Sequence, residues 1–308
     1  MTPVDLGATL YVPSTRADLP AQLIAGRVPD LRSAVICLED SIADHEVERG
    51  LVHLAELLRA LHLQPAAVPY LFVRPRDPAM LGHILHMPGA DRLSGFVLPK
   101  VTPDTLPLWL AHPLADGHRI MPTLETREAF DGHELRRLRD QLAAVHERVL
   151  ALRIGGNDLL QTLGARRSRV RTAYDGPLGS VIASLVATFA PWGFALSAPV
   201  MEGFGDPALL REEVARDLEH GLFTKTAIHP AQISVIHAAY AVPARDLAEA
   251  EAILSDSPPA VFASAGAMCE PATHRRWAET TVRRAAAFGL ADPLPGPQSG
   301  PTLTAANA

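Results

Sequence analysis

The chain has 308 residues, 48% hydrophobic and 20% charged, a composition that suits a globular domain with a large core and excludes a disordered or fibrous chain. A net charge of -6 gives no basis for nucleic-acid binding, and no apolar run reaches the ~18 residues of a membrane-spanning helix. The N-terminus MTPVDLGATL lacks the basic start and long apolar stretch of a signal peptide, so a cytoplasmic protein with neither a membrane nor a nucleic-acid partner is expected. Cys37 and Cys269 are too few for a disulfide framework and lack CxxC spacing, so both are expected to be reduced.

In chain order, short apolar runs fall at residues 8–13, 34–40, 69–75, 95–100, 119–125, 150–158, 193–199 and 224–230. Aliphatic and β-branched residues dominate each run, as in parallel strands buried on both faces. Helical spacing appears between them. Val47, Leu51, Leu54, Leu58 and Leu61 mark a helix after the second run, with Asp44 and Glu46 favouring its N-terminal end. Comparable segments lie at 104–114, 128–148, 177–191 and 206–221, the last opened by Asp206-Pro207 as cap and first turn. Eight βα units predict an α/β fold, a (β/α)8 TIM barrel over residues 1–230. Helices near 230–240, 244–255 and 271–288 make a helical C-terminal extension at 231–290, and the Pro- and Gly-rich 291–308 is expected to be a disordered tail.

A barrel of this kind builds its active site at the C-terminal strand ends. Here those ends carry Glu39-Asp40, Arg74, Lys100, Glu125, Asn157-Asp158 and His229, which points to an enzyme. Glu125 and Asp158, from neighbouring units, are placed to share a divalent cation. Oxygen-only ligands favour Mg2+, with Mn2+ as the substitute. Capping of the helices that follow is the other explanation for the same two acids. Two adjacent acids at the end of an apolar strand need partners, and Arg74 and Lys100 are the natural ones.

Of the 28 basic residues, Lys100 and Lys225 alone are lysine. Either ammonium suits a Schiff-base nucleophile with a lowered pKa or an electrostatic stabiliser, and tight packing is the bland alternative. Arg166, Arg167, Arg169 and Arg171 after the sixth run offer an anion grip for a phosphate or a CoA tail, or form a solvated loop. The GxGxxA match at Gly203–Ala208 sits on the seventh unit and carries Pro207, so it does not read as a dinucleotide fingerprint. His53, His62 and His146 fall on helices as surface or packing residues. His229 differs in ending the eighth run, where it binds substrate or supports the barrel end.

The ordered set YVP, LED, VRP, LPK, ET, GGNDL and KTAIHPAQI, spanning about residues 8 to 290, resembles the citrate lyase beta-subunit-like branch of the HpcH/HpaI aldolase family. GATLYVPSTR, GGNDLL and APVMEGFGD resemble most the carbon-carbon bond lyase-like proteins of tellurium-resistance clusters. The resemblance implies a Mg2+-dependent lyase or synthase acting on oxo acids and acyl-CoA-type partners, commonly a homotrimer. It makes Glu125 and Asp158 the metal ligands, with Glu39 and Asp40 organising water and the basic residues and Arg74 clamping the enolate oxygen. Lys100 falls near the same pocket, and Lys225, His229, Asn157 and Arg167 are expected on the substrate. A C-terminal DGxMID signature appears as Ala265-Gly266-Ala267-Met268-Cys269-Glu270, which makes Glu270 the acid or base delivered to a neighbouring subunit. Gly7-Ala8 replaces the Arg-Ser pair of CoA-using relatives, and Ala198-Pro199 stands where strand seven often has an aspartate. The first departure removes a phosphate contact and counts against a CoA thioester substrate; with the second, and with the anion contacts of Arg166 to Arg171, a different acceptor or a phosphorylated substrate is the alternative. The expected function is therefore metal-assisted carbon-carbon cleavage or condensation through an enolate. Its rivals are a Schiff-base aldolase on Lys100 or Lys225 and a non-catalytic barrel subunit of a biosynthetic assembly.

Overall fold

The computed structural model describes residues 1–63, 69–264 and 266–291. Eight parallel strands form one sheet: β1 (Ala8–Pro13), β2 (Ser33–Cys37), β3 (Tyr70–Arg74), β4 (Gly95–Leu98), β5 (Arg119–Leu124), β6 (Leu152–Ile154), β7 (Leu196–Ser197) and β8 (Lys225–Ala227). Neighbours in sequence are neighbours in space, β8 lies beside β1, and a parallel bridge between Ala198 and Lys225 joins β7 to β8. The ring is therefore a TIM barrel, as the apolar runs predict. Val35, Phe72, Val97 and Met121, from four successive strands, are fully buried in one core cluster.

The strands are shorter than the runs that announce them. Residues Glu39, Asp40, Lys100, Glu125 and Asp158 lie beyond the last strand residue of their units, on the turns at the C-terminal end. Asp158 is the largest departure: β6 stops at Ile154, and Gly156–Thr162 is a helix with Asp158 in its first turn. Around the ring, the helix Val47–His62 buries Leu54, Leu57, Leu58 and Leu61. Asp206 caps Pro207–Glu219 by accepting from the N–H groups of Ala208 and Leu209, both at 3.0 Å.

The described chain separates into two compact units, Met1–Tyr240 and the residues from Ala241 on. The helix Ala231–Tyr240 thus belongs with the barrel, ten residues past the expected boundary at 230, because Ile233, Ile236 and Tyr240 are buried within that unit. In the second unit, Ala250 and Ile253 of the helix Ala244–Leu254 bury against Ala278 of the helix Pro271–Phe288. The hairpin β9 (Phe262–Ser264) and β10 (Ala267–Cys269) precedes the last helix. The tail expected to be disordered lies, from residue 292 on, outside the described residues. No helix among the described residues is long and apolar enough to cross a membrane.

Candidate active site

The C-terminal end of β3, the turns after β2, β4 and β5 and the helix start after β6 bring six charged side chains together. The Arg74 guanidinium is the hub: its Nη2 lies 2.7 Å from Glu39 Oε2, 3.2 Å from Asp40 Oδ2 and 3.0 Å from Glu125 Oε1. The Lys100 ammonium contacts Glu39, lies 3.3 Å from Asp40 Oδ1 and approaches Asp158 Oδ1 at 4.0 Å. The pairing of Glu39-Asp40 with Arg74 and Lys100 expected from the sequence is thus the arrangement found.

Lys100 adopts a left-handed backbone, φ +50°, which a residue with a Cβ rarely takes. That turn aims its N–H at Glu125 Oε1, 2.8 Å away, while its side chain reaches back to Glu39. Strain of this kind is held where surrounding contacts over-determine it. Oε1 of Glu125 therefore accepts from both Lys100 and Arg74. Gly155 gives the same carboxylate its space: a Cβ at that position would overlap the Glu125 side chain, Oε2 included.

Burial sets the electrostatics. It pushes the Glu125 carboxyl up to about 7, with the Arg74 charge pulling down and Asp158 adding repulsion. Burial, then Asp40, also raises Asp158. Burial and the neighbouring Asp40 raise Glu39, whereas Asp40, despite its own burial, is held below the usual range by Glu39, Arg74 and Lys100. Burial works against the Lys100 ammonium, but its contact with Glu39 wins and its pKa is raised. Lys100 is therefore a charged partner, opposite to the lowered amine that a Schiff-base lysine requires.

A cavity of about 230 Å³ opens over this cluster and is lined by Asp40, Arg74, Glu125, Asn157 and Asp158. Among the described residues no group of three or more His, Cys, Asp or Glu is arranged to hold an ion. Two carboxylates on one cavity do fit Mg2+, which keeps several waters and takes one or two protein carboxylates. Glu125 and Asp158 are the residues that would hold it, and burial is the main cause that raises both carboxyls.

Several expected substrate residues stand elsewhere. Lys225 has no exposed surface and its Nζ pairs with Glu213 Oε1 at 2.8 Å and Asp217 Oδ2 at 2.9 Å, between β8 and the helix Pro207–Glu219. It cannot reach the cavity, so neither a substrate contact nor a Schiff base on Lys225 stands. Arg167 pairs with the same Glu213, and the pair is buried, so Arg167 lies outside the acid cavity and lines instead the groove that runs from Asn157 to Arg166. His229 is exposed, stacks on Phe204 at 4.7 Å and accepts from the Ala231 N–H at 3.2 Å. Gln232 accepts from Ile228 and His229 N–H groups and donates to the Met201 carbonyl, so the strand-eight signature ties loops together at this position. Gly7-Ala8 stand at the N-terminal end of β1, opposite the acids, and their departure from Arg-Ser says nothing about the mouth. Glu270 lies in the second unit at the start of the helix Pro271–Phe288, with Thr273 Oγ1 3.4 Å from its Oε2. Ala265 of its motif lies outside the described residues.

Sequence reasoning missed several cavity residues, among them Tyr11, Thr123, Arg153 and Thr226. A signal for one existed, since Arg153 is a lone charge inside an apolar strand, costly unless used.

A closed parallel barrel with interlocked acids and bases at its C-terminal strand ends defines a barrel enzyme. The chain belongs to the family C-C_Bond_Lyase of the TIM-Barrel fold, matched over residues 1–290. A citrate lyase from Burkholderia xenovorans LB400 shares the fold with a TM-score of 0.70 at 22% identity, over 95% of this chain and 97% of that one. CitE from Mycobacterium tuberculosis, solved with magnesium, acetoacetate and coenzyme A, gives a TM-score of 0.68 at 21% identity over 92% of this chain and 99% of that one. A stretch of 97 residues is 32% identical to (3S)-malyl-CoA thioesterase of Cereibacter sphaeroides, covering 32% of this chain and 33% of that protein. The chain thus matches about a third of that relative's length. The family resemblance read from the strand-end motifs is met by these findings.

Proposed function

We propose that the chain is a Mg2+-dependent lyase that breaks or forms a carbon-carbon bond next to the carbonyl of a small oxo acid. The observation that carries this reading is that Glu125 and Asp158 line one cavity with Arg74, whose guanidinium is fixed by three carboxylates. A divalent ion bound there supplies positive charge for the oxygen that becomes anionic as the bond breaks. Arg74 supplies a second such charge, already oriented, so no reorganisation is needed during the reaction. Lys100 and Glu39 hold Arg74 and Glu125 in register and exchange protons with the substrate hydroxyl. In the cleavage direction that hydroxyl loses its proton, its carbon becomes a carbonyl, and the bond's electron pair passes to the enolate. Glu270, from a neighbouring copy in a homotrimer, would then return a proton to the enolate carbon.

An acyl-CoA substrate fits the same reading. The mycobacterial CitE structure holds coenzyme A, and here a groove runs from Asn157 past Gln161 to Arg166. Arg166 and Arg171 also line a cavity of about 300 Å³ where phosphate groups would find partners.

Solvent exchange of the pyruvate methyl protons, followed by NMR in deuterium oxide, tests the proposal. Exchange should require Mg2+ and stop with EDTA. Exchange that survives EDTA and is quenched by borohydride would instead establish a Schiff-base aldolase, and no exchange with any small oxo acid at millimolar Mg2+ would favour a non-catalytic barrel.

A further inference from the structure

Below the charged cluster the barrel holds one guanidinium that no acid balances. Arg153, in the middle of β6, is 2% exposed and pairs in register with Thr123 of β5. Its Nη2 donates to Thr226 Oγ1 at 2.6 Å, its Nη1 faces Met121 Sδ at 3.5 Å, and its guanidinium lies 5.2 Å from the Tyr11 ring centre. All these partners are neutral. Among the described residues no Asp or Glu forms an ion pair with Arg153, and Arg74 adds like-charge repulsion. The other buried cations among the described residues of this unit, Lys225, Arg167 and Arg74, are each matched by carboxylates. Arg153 is the exception, and it opens on the cavity.

Three buried polar atoms of residues lining that cavity have no hydrogen-bond partner, Arg74 Nε, Arg153 Nε and Thr123 Oγ1, and the last two belong to its deeper part. Thr123 and Arg153 precede Glu125 and Gly155 by two residues each. With about 3.3 Å of rise per strand residue, they form a layer roughly 7 Å deeper in the barrel. That separation suits the two ends of a four- or five-carbon diacid.

We propose that Arg153, with Thr123 and Thr226, binds a second anionic group of the substrate, so that the cavity selects a small oxo acid charged at the end remote from Glu125 and Asp158. The inference rests on the reading of those two acids given above. It assigns to Arg153 a specificity role, and it explains why a buried cation is left without a protein counter-ion.

Calorimetric titration with 2-oxoglutarate and with 2-oxopentanoate, which replaces the far carboxylate by a methyl group, tests it. With Mg2+ present the wild type should favour 2-oxoglutarate by about tenfold or more, the worth of one charge-assisted contact in a dry site. Arg153→Met should lose that preference, keep its affinity for 2-oxopentanoate, and melt no lower than the wild type, since it removes an unpaired buried charge. No preference in the wild type, or an undiminished preference in Arg153→Met, overturns the assignment. So does a lowered melting temperature with unchanged selectivity in Arg153→Lys, which would make the residue structural. Repeating the wild-type titration in EDTA separates the two readings: a preference that persists there with undiminished affinity retains Arg153 and removes the metal.

Discussion

Glu125→Gln is expected to abolish Mg2+ binding and to lower turnover by about 10³-fold or more, while the barrel stays folded. Gln keeps the shape and an acceptor for Arg74 and the Lys100 N–H, so the hydrogen bonds that fix position 125 survive. What disappears is the negative charge that a divalent ion needs. The same variant carries a stability signature. Burial raises the folded Glu125 carboxyl from 4.5 to about 7, so the folded state holds its proton more tightly than the unfolded chain. Stability contributed by the protonated form is fully present below about 4.5 and is lost as pH rises through about 7. At pH 8 in EDTA, Glu125→Gln should therefore be the more stable protein, by on the order of 3 kcal/mol. Calorimetric Mg2+ titration and denaturant unfolding at pH 5 and pH 8 measure both effects. Tight Mg2+ binding by the variant would remove Glu125 from the metal site.

Lys225→Met is expected to have the opposite character, with a large loss of stability. Its ammonium neutralises Glu213 and Asp217, both without exposed surface, and Arg167 reaches only Glu213. Burial, with the Glu213 charge adding to it, pushes the Asp217 carboxyl up against the pull of Lys225, and removing Lys225 leaves that acid with Tyr174 as its hydrogen-bond donor. Breaking a buried ion pair by removing one partner costs about 3–5 kcal/mol, which lowers Tm by roughly 10 °C in a domain of this size. Replacing both Lys225 and Asp217 by apolar residues should recover much of that loss. A Lys225→Met protein with unchanged Tm, or one that loses borohydride trapping which the wild type shows, would contradict the structural role.

Lys225 also shows where the sequence is mute. In a parallel barrel both faces of a strand are buried, so hydrophobic alternation does not tell which side chain enters the barrel and which faces a helix. Thr226 lines the cavity and Lys225 meets Glu213 and Asp217, yet the two read alike in TKTAIHP. For the same reason LALRI does not tell which way Arg153 faces, although its lone charge marks the position. The acids after β2, β5 and β6 were legible because they follow the apolar runs, where the chain leaves the sheet and side chains gather at the mouth. Run length misled most at β6. GGND reads as the end of a strand, but Gly156 already begins a helix, and Asp158 reaches the cavity from its first turn. The helix Pro78–Leu85 had a usable signal in Asp77-Pro78, and Asp77 does accept from the Met80 N–H at 2.8 Å.

The central claim is that acids from the fifth and sixth units share one cation. Anomalous diffraction from a crystal soaked with Mn2+ and pyruvate addresses it directly. The expected map has a single peak within about 2.0–2.3 Å of carboxylate oxygens from both Glu125 and Asp158, with pyruvate between the ion and Arg74. A peak bound by neither acid, or no ordered ion at saturating Mn2+, would contradict the account.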